Sequence, residues 1–246
     1  MPTARDRCRT GSGVEVPYPC PVPPEPATVV DKLFTRPLLR GWLHLLCFFL
    51  AIPAVLLLVA IADPGKARLG AVIYGIGLVA LFGVSGTYHR GRWSQAARRR
   101  WQQLDHATIF VMIAGSYTPL CLMALRGWVA PVLLVVAWAG ASLGAVLAFT
   151  GGRRSRVARG ALYITLGWIS VVALPQLLHH LSLSQLILIG IGGVLYTVGA
   201  IFLATHWPDP FPRVFGYHEV WHVLVVAAVV CHFVAISSLL HAPLHA

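Results

Sequence analysis

Seven apolar runs, each near twenty residues long and none containing a lysine or arginine, limit the folds open to this chain. They fall at about 42–62, 69–89, 106–125, 129–149, 160–178, 186–205 and 219–240. The hydrocarbon core of a bilayer takes about 20 helical residues to cross. Inside lipid every backbone polar group must find its partner within the protein, and a run of this length does so as an α-helix. The expectation is an all-α protein, a seven-transmembrane helix bundle in a cell membrane. Composition matters at one point. A net charge of +11 would suit a nucleic-acid binder, but 57% of the residues are hydrophobic and only 11% are charged, against about 25% in soluble domains. The basic residues cluster between the apolar runs, as topology signals do. Membrane lipids are therefore the expected partners, with no nucleic acid.

Residues 1–35 are polar and Pro-rich, with Pro17, Pro19, Pro21, Pro23, Pro24 and Pro26 close together. Such a segment buries too little apolar surface to fold and is expected to be a disordered tail. It lacks an apolar core of its own and does not read as a cleaved signal peptide. Residues 36–246, joined by short loops, read as one membrane domain. Cys8, Cys20, Cys47, Cys121 and Cys231 show no paired spacing, so no disulfide framework is expected. Pro53, Pro119 and Pro175 lie inside runs, where neighbouring helices must satisfy the carbonyls they free. Glycines crowd the second and sixth runs, a pattern of close helix packing.

Charge orients the bundle. The segments before run one, between runs two and three, four and five, and six and seven hold sixteen Lys and Arg, and the other side holds three. By the positive-inside rule the N-terminus is cytoplasmic and the C-terminus outside. Trp42, Trp93, Trp101, Trp128 and Trp207 lie near run ends, as interfacial aromatics do.

Topology then gathers the polar residues. Run two ends on the cytoplasmic side with Ser85-Gly86-Thr87-Tyr88-His89, run three starts there with Asp105-His106, and run seven starts there with His218 and His222. Ionisable groups at membrane depth are costly and mark function. His218 and His222 share a helix face, about 6 Å apart along the axis. Three imidazoles and a carboxylate at one depth match a catalytic zinc site, with three protein ligands and a water. Ser85 lies four residues before His89, on the same face, within reach of the ligand, the bound water or a substrate oxygen. His106 stays open as an alternative to His89 or Asp105. His44 and His232 read as buried structural residues, and His179, His180, His241 and His245 fall on the outer side.

His218-Glu219-Val220-Trp221-His222 is also the H-E-x-x-H pattern of the zincins. No Asp or Glu follows Glu219, so the later acidic ligand such proteases need is missing. Glu219 reads instead as a first-turn acid favoured by the helix dipole.

The segments Ser85–His89, Leu104-Asp105-His106-Ala107 running to Gly115-Ser116-Tyr117-Thr118-Pro119, and His218–His222 with Cys231-His232-Phe233 together resemble the bacterial hemolysin III family. That family is grouped with progestin and adiponectin receptors and likened to alkaline ceramidases. The resemblance covers about 36–240. It implies seven helices, a cytoplasmic N-terminus, a multi-pass location in the bacterial plasma membrane, zinc on His89, His218 and His222, and Asp105 and Ser85 beside the zinc-bound water. The function expected is zinc-dependent hydrolysis of a membrane lipid amide or ester. The alternatives are a receptor-like or membrane-homeostasis protein with structural zinc, and a cytolysin, as the family name suggests. Imidazole ligands suit zinc and other transition metals.

Overall fold

The computed structural model describes residues 36–150 and 152–241, with the backbone of Cys8–Arg9 and Glu15–Val16. The chain divides into two units, Met1–Arg36 and Pro37–Ala246. In the first, β1 (Cys8–Arg9) pairs antiparallel with β2 (Glu15–Val16). The expectation of a disordered tail at 1–35 otherwise lies outside the described residues, as does His245.

The second unit is helical. α1 spans Trp42–Ile61, α2 Lys66–Arg90, α3 Gln95–Met123 and α4 Val129–Phe149. α5 (Arg153–Trp168) passes through a 3₁₀ turn, Ile169–Ala173, into α6 (Leu174–His180). α7 spans Leu183–Thr205 and α8 Tyr217–His241. Taking α5 to α6 as one span, seven helical segments among the described residues are long and apolar enough to cross a membrane. This is a multi-pass membrane protein.

Two expected loops are helix. Arg98, Arg99 and Arg100 lie in the opening turns of α3, and Arg154, Arg156 and Arg159 lie in α5. Hydropathy marks only the part of a helix that lipid covers. The stretch Gln95–Gln103 is built of Gln, Ala and Arg with one Trp, mostly strong helix formers, and Ser94 caps it by accepting from the Ala97 amide. α3 therefore starts eleven residues before the apolar run does.

The prolines behave as their chemistry dictates. Pro53 and Pro119 stay within helices, while the fifth span breaks just before Pro175. Proline lacks the amide that would bond the carbonyl four residues back. α3 compensates at this break: the Tyr117 hydroxyl donates to the Gly167 carbonyl at 3.1 Å and accepts from the Ser170 amide at 3.1 Å.

α2 and α3 form the centre, with more than half of each apolar stretch buried. Tyr74, Phe110, Leu58, Ile236 and Leu240 fill the core. The glycines of α2 give close approach: Gly70 sits on Pro119 and Gly86 on the Leu45 backbone. In α7, Gly192 leaves room for the His232 ring, whose Nε2 is 3.3 Å from the Ile189 carbonyl oxygen.

Candidate metal centre

The site is assembled where the start of α8 meets the start of α1 and the end of α2. The Leu38 and Leu39 amides donate to the Arg213 and Val214 carbonyls at 3.0 and 3.1 Å, lacing the segment before α1 to the segment before α8. A helix N-terminus has amides without intrahelical partners. In α8 the Tyr217 amide donates to Asp209 Oδ1 at 2.9 Å, and the Gly216 amide to Glu219 Oε2 at 2.8 Å. The latter is half of a capping box, an acid in the first turn reaching back to the cap. The other oxygen of Glu219, Oε1, takes the Arg40 guanidinium. Both oxygens of this buried carboxylate are thus engaged with the helix start. The role expected for Glu219, a first-turn acid, accounts for its position, and a zincin-like base does not.

With that turn fixed, His218 and His222 project on one face toward the last turn of α2. Possible ligand atoms of His89, His218 and His222 all lie within 4.8 Å of one another. His89 Nε2 and His218 Nε2 are 3.3 Å apart. For a tetrahedral zinc with bonds of 2.0–2.1 Å, two ligand nitrogens are separated by about 3.3 Å, so the donor type and this spacing both fit the ion. His222 is buried. Gly41 keeps His89 close: it caps α1 at φ +80°, and a Cβ there would overlap the Cβ of His89. Among the described residues this group has three members, and His106 is outside it. The backbone carbonyl of His106 accepts from the Tyr163 hydroxyl at 2.9 Å.

Ser85, buried near the end of α2, sits close to Asp105 of α3. Ser85 Oγ also lies 2.9 Å from His44 Nδ1, and the His44 ring stacks on His222 with centroids 3.8 Å apart and planes at 15°. Read from sequence as a structural residue, His44 is in direct contact with the site. The depth rule that collected the other histidines, applied to the start of α1, reaches it as well.

A groove of about 510 Å³ lies between α1 and α8, and His222 is among the residues that line it. Trp42, Leu46, Phe49, Phe215 and Val223 line it. Trp42, Leu46, Phe49 and Val223 are exposed on the outer face of the bundle, where a transmembrane protein meets lipid. Arg90 lies over the Trp42 ring, 4.4 Å from its centre.

Fold and site together define a class: a heptahelical membrane protein with a part-buried three-histidine cluster at one end of its bundle. Comparison with known proteins gives the family. The signature of the group described as "Haemolysin-III related" matches residues 33–233, and the chain belongs to the haemolysin III family. It is 33% identical to Hemolysin-3 of Bacillus cereus over 181 residues, covering 72% of this chain and 79% of that protein. It is 28% identical to the human monocyte to macrophage differentiation factor over 200 residues, 78% and 81% of the two chains. It is 29% identical to the heptahelical transmembrane protein ADIPOR2 of Oryza sativa subsp. japonica over 198 residues, 72% and 84% of the two.

Proposed function

We propose that this protein is a zinc-dependent hydrolase that cleaves an amide or ester bond of a membrane lipid. One observation carries the reading: three imidazoles converge, and one of them, His222, lines an apolar groove between α1 and α8. His89, His218 and His222 would hold the zinc. A zinc held by three protein ligands keeps a position for water and lowers the pKa of that water to about 7.

The chain's residues supply the rest. The groove between α1 and α8 takes an acyl chain from the bilayer and brings its carbonyl to His222. Ser85 donates its proton to Asp105 and so aims the carboxylate. Asp105 accepts the proton of the attacking water and returns it to the leaving nitrogen or oxygen, as a positioned general base does. The helix walls keep bulk water out. The charge distribution supports placing this end of the bundle on the cytoplasmic side, with the N-terminus inside and the C-terminus outside.

The test is Asp105→Asn in full-length protein reconstituted in nanodiscs, assayed on a fluorescent ceramide and on a fluorescent acyl ester. Hydrolysis is expected to fall by about a hundredfold or more, with zinc content unchanged. Undiminished hydrolysis with zinc bound would remove Asp105 from the chemistry.

A second reading has an observation of its own. α2 and α8 touch over a small area apart from this cluster, so a zinc there would also staple the two helices in a receptor-like or homeostatic protein. A fourth protein ligand in the zinc-loaded state, or absence of turnover on any acyl lipid, would favour it. The cytolysin reading predicts release of contents from lipid vesicles on adding purified protein. A chain of seven spans lacks the soluble state such an activity needs.

A further inference from the structure

His44 is 3% exposed, and its Nε2 is buried without a hydrogen-bond partner. An unpaired buried nitrogen is costly. An apolar side chain of similar size would fill the same space without that cost, so filling space does not explain a histidine here. Its other contacts do. The face of the ring covers His222, and its Nδ1 meets Ser85 Oγ.

The hydroxyl of Ser85 has one proton to give. Its oxygen also accepts, so the bond to His44 holds the direction of the hydroxyl with either tautomer of the ring. One imidazole therefore fixes two things. Its Nδ1 edge holds the Ser85 hydroxyl. Its face holds the plane of His222, and because an imidazole lone pair lies in the ring plane, it sets where His222 aims. α1, which supplies no member of the metal cluster, acts on the cluster through this side chain.

We propose that His44 is a positioning residue of the metal centre, orienting Ser85 through its Nδ1 hydrogen bond and His222 through its ring face. This rests on the metal-centre reading above, and the experiment separates the two. Full-length wild type, His44→Phe and His44→Ala are purified in detergent, stripped of metal and titrated with cobalt(II), whose visible absorption reports ligand geometry. Thermal unfolding of the metal-free proteins is recorded alongside.

His44→Phe keeps the stacked face and loses the hydrogen bond to Ser85. Its cobalt affinity is expected to stay within about threefold of wild type while its absorption bands shift. His44→Ala loses both contacts, and its affinity is expected to drop about tenfold or more, as for other residues that orient a ligand. Wild-type affinity in His44→Ala would overturn the role toward His222. A wild-type spectrum in His44→Phe would overturn the role toward Ser85, and this variant keeps the test alive if His44→Ala does not accumulate. Lost stability in both variants with unchanged cobalt binding would make His44 a packing residue and overturn the proposal. A wild type that binds no cobalt would overturn the metal centre itself, and this proposal with it.

Discussion

Gly41 carries two constraints in one position. Its φ of +80° lies where other residues are strained, and its missing Cβ is the space the His89 Cβ occupies. Gly41→Ala is expected to cost about 1–3 kcal/mol from the backbone alone and to displace His89 as well. Thermal unfolding in detergent should show a fall of several degrees, and metal binding should weaken in the same variant. An alanine variant as stable as wild type would mean that the α1 cap relaxes freely. At His222 the expectation is simpler. Elemental analysis of purified protein should find about one zinc per chain in wild type and none in His222→Ala. Metal-free wild type after zinc is added back would return these histidines to ordinary packing. Glu219 shows the limit of a motif. As part of H-E-x-x-H it suggests a catalytic base, yet its oxygens are taken by Arg40 and the Gly216 amide. Spacing along one helix says nothing about a guanidinium 179 residues away in sequence.

At the scale of elements, the break before Pro175 and the tyrosine that covers it make a pair. Pro175 alone predicts a weak point in the fifth span. That Tyr117 supplies both the donor for Gly167 and the acceptor for Ser170 follows only from the packing of α3 against α5. Tyr117→Phe strands both backbone groups in an apolar setting, at about 1–3 kcal/mol. Thermal unfolding should fall by a few degrees, and amides near Ser170 should exchange faster with deuterium; unchanged exchange would show that another group had taken over. All seven spans are legible in the sequence because lipid demands a minimum apolar length. The polar beginnings of α3 and α5 are not, because helix continues into water wherever propensity and a cap such as Ser94 allow. The clustering of His89, His218 and His222 is legible for the same reason as the spans: alternating direction puts the ends of consecutive helices at common depths. His44 escaped because its importance lies in what it touches, and depth alone does not tell a ligand's neighbour from a packing residue.

For the whole molecule, orientation is the property that charge assigns. A reporter active only in the cytoplasm, fused at the N-terminus, should be functional, and a periplasmic reporter fused after α8 should be functional as well. The reverse pattern would place the histidine cluster on the outer side and would require the sixteen basic residues to have crossed the membrane. Sequence separation within the site has a further consequence. His89 and His218 are 129 residues apart, and the turn that presents His218 is laced to the segment just before α1. A ribosome therefore delivers one imidazole of the cluster early and the other two only when the last helix emerges. During synthesis the growing chain would hold an incomplete set, and metal uptake by the cluster would be a late event that reports a fully inserted protein. A chain cut short just before α8 would sit in the membrane with six apparently sound spans and one of the three histidines, a defect that a metal assay would find.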